Sequence, residues 1–161
     1  MNRKYTIDDF ENIIEKFRKK YPEITVSTDI IVAFPKESES QFEKTINLLK
    51  KIKPDITNIT RYSARPYTQA KKFKGRIKTE IAKNRSKILT NICKDISKEK
   101  NKKLLGKNYE IVISEKGKNN TMVGRNNNYK PIIINKNLKI GKKINVEITE
   151  YKSTYLVGSI I

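Results

Sequence analysis

The chain has 161 residues, enough for one medium domain or two small ones with a real hydrophobic core. It holds 36 Lys and Arg against 17 Asp and Glu, and the formal net charge of +19 indicates a polyanionic partner, most commonly nucleic acid. A proteome rich in Lys, Asn and Ile would produce part of the same excess. The excess is concentrated in the second half, because residues 1–80 hold 18 basic and 11 acidic groups and residues 81–161 hold 18 and 6.

Cysteine and histidine usage excludes several classes of site. The sequence has one cysteine, Cys93, and no histidine. An internal disulfide framework, a multi-cysteine metal or cluster site supplied by this chain alone, and His-ligated zinc are therefore excluded. No apolar run reaches the length of a membrane span and the N-terminus leads into no signal-peptide core, so we expect a soluble, cytoplasmic protein.

The first predicted element is an amphipathic helix. Thr6 is a candidate N-cap, and Asp8 and Asp9 would complement the helix dipole in the first turn. Lysines followed by Pro22 predict its end. One apolar face is expected from Phe10, Ile13, Ile14 and Phe17.

A short apolar run then predicts a strand covered on both faces. Ser27 to Pro35 reads Ser-Thr-Asp-Ile-Ile-Val-Ala-Phe-Pro, rich in β-branched residues and ended by proline. A carboxylate inside such a strand needs partners or a ligand, so Asp29 is either a hydrogen-bonded residue at a strand bend or a ligand contact.

A second helix and strand follow. Ser38 and Gln41 predict a capping box, Pro54 predicts the end of the helix, and residues 55–62 have the β-branched content of a strand. The apolar positions predicted to face inward are Phe42, Ile46, Leu49 and Ile52. The resulting α-β-α-β order is the unit of an α/β barrel or open sheet, whose chemistry lies at the C-terminal ends of the strands. Two strands cannot close a barrel, so these apolar faces need a partner that this chain does not contain.

Residues 71–107 are strongly basic. They hold 14 Lys and Arg against Glu80, Asp95 and Glu99, and apolar residues keep helical spacing from about Thr79. We predict one long basic helix that bridges two domains, with Cys93 as a small buried hydrophobe on its apolar flank.

The last third predicts a small β-barrel. Five short strands with turn residues between them are typical of a closed barrel of the OB type, which binds single-stranded or looped nucleic acid through basic groups and stacked aromatics. Cations and an aromatic lie in the loops around the second and third strands, which favours RNA contact over a merely solvated surface. The predicted strands are 108–115, 121–125, 129–134, 144–149 and 154–161.

Four segments resemble a known family: Met1–Thr6, Ser27–Pro35, Arg61–Thr68 and Thr154–Ile161. They are similar to the C-terminal part of the radical-SAM tRNA methylthiotransferases, closest to the archaeal and eukaryotic branch acting on threonylcarbamoyl-adenosine beside the anticodon. The resemblance implies an α/β plus all-β fold. Residues 1–70 would be the last βα units of a radical-SAM partial TIM-like barrel, 71–97 a basic linker helix, and 98–161 an OB-like TRAM domain that binds tRNA.

The family reaction adds a methylthio group to the modified adenosine. It needs S-adenosylmethionine and two 4Fe-4S clusters, and the cluster-binding cysteines are absent from this chain. The resemblance therefore implies that the chain is not catalytic alone and works with an N-terminal radical-SAM half, separately encoded or part of a longer chain. The alternative is a stand-alone TRAM-type RNA-binding protein with a vestigial barrel remnant, and a weaker one is a basic protein with no dedicated RNA site.

The resemblance also assigns site residues. Ala33, Lys36 and Tyr67 occupy positions where the family pattern has glycine, so we expect backbone strain where glycine's left-handed conformation is required. No catalytic residue or metal ligand is assigned. The expected cofactor contacts are Thr28, Asp29 and Arg61, with Arg61 also able to hold substrate or phosphate, and the expected RNA contacts are Arg65, Lys107, Lys116, Lys118, Arg125, Tyr129 and Lys130.

Overall fold

The computed structural model describes residues 4–161, in which an α/β segment precedes a closed β-barrel. The chain divides into two units, Met1–Cys93 and Lys94–Ile161. Of the resembling segment Met1–Thr6, the first three residues lie outside the described part. The elements up to the barrel are α1 (Ile7–Lys20), β1 (Ser27–Val32), α2 (Glu39–Ile52), β2 (Ile56–Arg61), a 3-10 turn (Gln69–Lys72) and α3 (Thr79–Lys102), which begins in the first unit and ends in the second.

Capping boxes begin the first two helices, as the sequence predicts. The Thr6 hydroxyl accepts a hydrogen bond from the Asp9 amide at 3.1 Å, and the Asp9 carboxylate accepts one from the Thr6 amide at 2.8 Å. Ser38 and Gln41 form the same reciprocal pair at the start of α2. The end of α2 is capped by α1, because the Arg18 guanidinium donates to the carbonyls of Ile52 and Lys53.

The core of the first unit lies on one side of a two-stranded parallel sheet. β1 and β2 pair in register from Ser27 with Ile56 to Val32 with Arg61. Val32, Phe42, Leu49 and Leu89 are fully buried, so the strand, α2 and α3 share one apolar cluster. Cys93 is half-buried against this cluster, which agrees with its prediction as a small hydrophobe.

The prediction that β1 is covered on both faces is wrong for this chain. Alternate residues of both strands point away from the helices and form the open sheet face, and Ile31 in it is 37% exposed. The described helices pack on the other side only, so a buried environment for Asp29 is not present. Residues of the open sheet face are Ser27, Asp29, Ile31, Ile56, Asn58 and Thr60.

The inward face predicted for α1 is only partly buried. Ile14 is 7% exposed, whereas Ile13 and Phe17 on the same predicted face are 53% and 50% exposed. The described elements offer α1 too little apolar surface to bury a full stripe, which is the physical reason for the difference.

The second unit is a closed five-stranded barrel in the order β3-β4-β5-β7-β6. All neighbours are antiparallel except β5 and β7. Alternate residues fill the interior, among them Ile111, Ile113 and Met122. This agrees with the predicted barrel and its five strands, which are β3 (Asn108–Lys116), β4 (Met122–Arg125), β5 (Pro131–Ile134), β6 (Lys143–Tyr151) and β7 (Leu156–Ile160).

Candidate nucleic-acid interface

An arginine and a tyrosine are stacked where β4 ends. The Cζ atom of Arg125 lies 4.5 Å from the ring centroid of Tyr129, within the range of a cation–π contact. Arg125 also donates to the Tyr129 carbonyl and to the Glu115 carboxylate, each at 3.3 Å. The tyrosine side of this pair faces solvent, because Tyr129 is 68% exposed.

The connection between β4 and β5, Asn126–Lys130, is called here the Tyr129 loop. Asn126 is only 6% exposed; its backbone carbonyl accepts from the Tyr129 amide at 2.8 Å and its side-chain carbonyl accepts from the Lys130 amide at 3.0 Å. Tyr129 has a φ of 61°, in the left-handed region. A buried asparagine thus fixes the loop in a conformation that turns the tyrosine outward.

A second asparagine positions Lys130. The Lys130 ammonium donates to the side-chain carbonyl of Asn101 at 3.1 Å, and the Asn101 amide donates to the carbonyl of Lys152 at 2.8 Å. Asn101 is 5% exposed, so the lysine is held by a buried group at the end of α3.

The sequence-predicted RNA contacts of the barrel do not all meet. Lys116 and Lys118 belong to the β3–β4 hairpin, which precedes β4, whereas the Tyr129 loop follows it. The two sets therefore lie at opposite ends of β4. Lys107 precedes β3, and because β3 runs antiparallel to β4 it lies at the same end as the Tyr129 loop.

The C-terminal edge of the β1–β2 sheet forms a separate basic groove. A groove of about 600 Å³ is lined by Arg61 and Arg76, with Ser63 and Thr79 beside them. Arg65 lies in the exposed loop that follows, where its carbonyl accepts from the Thr68 hydroxyl at 2.9 Å. Hydroxyls and guanidinium groups in one groove are donors suited to an anion.

The predicted cofactor contacts are divided between two faces. Asp29 lies on the open sheet face, where its carboxylate accepts from the side-chain amide of Asn58 at 2.8 Å. The side chain of Thr28 lies on the opposite face of the sheet, which packs on the helices. The structure therefore does not bring the Thr28 and Asp29 side chains together. Arg61 is at the end of β2, opposite Val32.

The three positions where the resemblance expects glycine all have left-handed backbones. Ala33, Lys36 and Tyr67 have φ values of 60°, 67° and 62°. The expected strain is confirmed, since a side chain in this region costs about 1–2 kcal/mol. The loops have kept the conformation that glycine favours.

Three important residues were missed from the sequence. Asn101 and Asn126 are buried amides that organise the barrel end, and Arg85 is a buried guanidinium on α3 that pairs with Glu37 and Glu39. Burial lowers the pKa of the Arg85 guanidinium, but the hydrogen bonds that it donates to Glu39 and Glu37, together with the negative charges of those carboxylates, outweigh burial and raise the pKa above its usual value. The run of three asparagines, Asn126 to Asn128, was the only signal for Asn126 in the sequence, and nothing local marked the other two residues.

Within residues 4–161, no three His, Cys, Asp or Glu side chains come together as a metal site. No helix in the same range combines the length and apolarity needed to cross a bilayer.

The barrel and its basic, aromatic end define the class of the second unit. Residues 102–161 match the family model of the TRAM domain. This confirms that the C-terminal barrel is a TRAM domain, as the resemblance implied.

The whole chain is similar to tRNA-modifying enzymes. It is 41% identical over 161 residues to a probable threonylcarbamoyladenosine tRNA methylthiotransferase of Pyrococcus horikoshii, covering all of this chain and 37% of that protein. A protein of the same name from Archaeoglobus fulgidus is 37% identical, over 99% of this chain and 37% of its own length. A tRNA-2-methylthio-N(6)-dimethylallyladenosine synthase of Clostridium novyi is 35% identical, over 100% of this chain and 36% of its own length.

The resemblance drawn from sequence motifs is therefore confirmed. The chain is related along its length to the TRAM-containing part of the tRNA methylthiotransferases. It spans little more than a third of the length of these relatives.

Proposed function

We propose that this chain is the C-terminal, tRNA-binding portion of a tRNA methylthiotransferase that adds a methylthio group to threonylcarbamoyl-adenosine beside the anticodon. The observation that carries this proposal is similarity across all 161 residues, at 41% identity, to a probable enzyme of that name. The barrel with its exposed Tyr129 and adjacent cations supports the tRNA-binding role. A tRNA-modifying role would place the protein in the cytoplasm.

The α/β segment is proposed to be the last βα units of a radical-SAM partial barrel, with residues 71–97 as the linker and 98–161 as the tRNA-binding domain. A fragment of such a barrel would consist of parallel strands with helices on the outer side and a face toward the barrel interior. The two parallel strands here have helices on one side and a largely polar face on the other, which supports this proposal. Asp29 and Asn58 on the open sheet face would form part of the pocket wall, and Arg61 would lie at its mouth.

An iron–sulfur cluster does not fit the residues of this chain. Its one cysteine, Cys93, is half-buried among apolar side chains. We therefore assign both clusters, and the chemistry of S-adenosylmethionine, to a cluster-binding segment that is not part of this sequence. What this chain would contribute is a polar wall beside the cofactor and the binding of tRNA.

The stand-alone RNA-binding alternative is less well supported. The relatives align over all of this chain, the α/β segment as well as the TRAM domain. The α/β core is also well packed, with Phe42 and Leu49 at most 1% exposed.

The binding role is tested by titrating the full chain with tRNA at several salt concentrations. Because cations on the protein release counterions from the phosphates, the logarithm of the affinity should fall linearly with the logarithm of the salt concentration. Lys130→Ala should weaken binding and reduce the slope by about 1, as expected for one lost phosphate contact. Lys44→Ala on α2 is the matched control, and equal effects of the two changes would contradict this assignment.

The enzymatic role is tested by co-expression. The full chain is expressed with a polypeptide that carries the cluster-binding cysteines of the related enzymes. Formation of an iron-loaded complex that modifies tRNA is the expected result. Failure of the two polypeptides to associate would leave the TRAM-type binding protein as the better description.

A further inference from the structure

The backbone of Tyr129 is strained without any gain from burial. Its φ of 61° lies in the left-handed region, where a bulky side chain is a true outlier, and the side chain remains 68% exposed. Folding of the barrel does not need an aromatic ring at this position, since Asn or Gly would fit the same turn at lower cost. Strain of this kind that persists at an exposed position is a sign of a functional constraint.

The ring is also held in place. The Cζ atom of Arg125 lies 4.5 Å from the ring centroid, and the guanidinium donates hydrogen bonds to the Tyr129 carbonyl and to the Glu115 carboxylate. Asn126 fixes the loop through its two hydrogen bonds. Since these contacts are made within the chain, a ligand that used the ring would have less ordering to do on binding.

We propose that the exposed side of the Tyr129 ring stacks an unpaired nucleobase, with Arg125 as a positioning residue beneath the ring and Lys130 near the adjoining phosphate. This inference rests on the proposed function, because it names what that tRNA-binding surface recognises. The face of the Tyr129 ring suits a base, only its hydroxyl could donate to a phosphate, and Arg125 already shares its charge with Glu115. Bases within a duplex are stacked on each other, so the ligand is a loop or single strand.

The experiment compares the full chain and two variants on two RNAs of equal phosphate number, a single strand and a duplex. Tyr129→Asn removes the ring but suits the left-handed backbone, and Tyr129→Phe keeps the ring. Tyr129→Asn should weaken single-strand binding about ten-fold, which is typical of one lost base stack, with no change in duplex binding or salt slope. Tyr129→Phe should bind as the unchanged chain does.

Two controls show whether a loss of RNA binding comes from the lost base stack. One excludes misfolding of the variant, and the other excludes a general effect of removing an exposed aromatic side chain. Tyr21→Asn removes another half-exposed tyrosine, which lies 5.5 Å from the Lys20 ammonium in the first unit, and should leave RNA binding unchanged. The thermal midpoint of Tyr129→Asn should equal or exceed that of the unchanged chain, because the strain is relieved. Equal losses on single strand and duplex, or no loss on either, would overturn the stacking proposal alone. Absence of salt-dependent RNA binding by the unchanged chain would overturn the proposed function as well.

Discussion

Arg85 and Glu37, 48 positions apart in sequence, are joined by a buried ion pair with an Nη1–Oε2 distance of 2.6 Å. The same carboxylate oxygen accepts a hydrogen bond from the Ala33 amide at 2.8 Å. The pair therefore connects α3 to the loop after β1, where the left-handed residues Ala33 and Lys36 lie. It fixes the edge of the sheet that the α/β rule associates with ligands.

Arg85→Met should destabilise the first unit by about 3 kcal/mol, because it leaves the Glu37 carboxylate largely buried without its cation. The arginine side chain is 6% exposed and that of Glu37 is 13% exposed. The free energy of unfolding is measured by urea titration followed by circular dichroism. The control is Lys51→Met, since the Lys51–Glu11 pair has the same 2.6 Å distance but a lysine side chain 69% exposed. It should change stability little, and similar losses for both variants would contradict the account.

Replacing strained residues with glycine should stabilise the loops. Lys36→Gly and Tyr67→Gly should each raise the free energy of unfolding by about 0.5–1 kcal/mol, because relief of the left-handed strain exceeds the added entropy cost of glycine. Both side chains are exposed, so little packing is lost. In the interior of a helix a glycine substitution has the opposite effect. Ala82→Gly in α3 should lower the free energy of unfolding by about 1 kcal/mol. Destabilisation by both loop variants would show that the left-handed conformations are not strained.

Gly124 should not tolerate a larger residue. A Cβ atom there would lie 2.5 Å from Cδ1 of Ile111, which is fully buried inside the barrel. Gly124→Ala should therefore cost about 1–3 kcal/mol, as expected for overpacking. Thermal unfolding is the measurement. Gly141→Asn is the control, because a Cβ at Gly141 meets nothing within 4 Å and asparagine tolerates its φ of 86°. A larger loss at Gly141 would contradict the packing argument.

The thiol of Cys93 should react slowly with alkylating reagents in the folded chain. Burial raises its pKa, which reduces the reactive thiolate at neutral pH. Iodoacetamide at pH 8 should modify the folded chain at least about ten times more slowly than the chain in urea. The pKa of the Cys93 thiol is higher in the folded chain than in the unfolded chain. Its contribution to stability is therefore fully present at pH values below the unfolded pKa and is lost as the pH rises through the folded pKa. Equal alkylation rates in the two states would contradict the burial of Cys93.

Local features of the fold were predictable because their causes are local. Thr6 and Ser38 marked helix starts by capping chemistry, and alternation from Asn108 onward marked the barrel strands. The sequence does not indicate that Tyr129 is the residue of this loop with a left-handed backbone. Three asparagines precede the tyrosine, and each of them suits that conformation better.

Tertiary features were beyond the reach of sequence patterns. The pairs of Arg85 with Glu37 and of Lys130 with Asn101 join distant segments, and no spacing rule indicates them. Strand direction decided which cations meet, and it separated Lys118 from the Tyr129 loop. The sequence predicted that part of the cover for these strands is missing from this chain, but it did not indicate which face of the sheet is open, since an apolar run shows only that a strand can be buried.

Recognition of the anticodon arm by this chain is tested by competition between two RNA fragments. An anticodon stem-loop and a blunt-ended acceptor-stem duplex of equal phosphate number compete for the full chain against labelled tRNA. The stem-loop should compete about ten-fold better or more, because it alone offers unpaired bases beside the modified position to the exposed Tyr129. Equal competition by the two fragments would contradict recognition of the anticodon arm and would leave only general binding of polyanions.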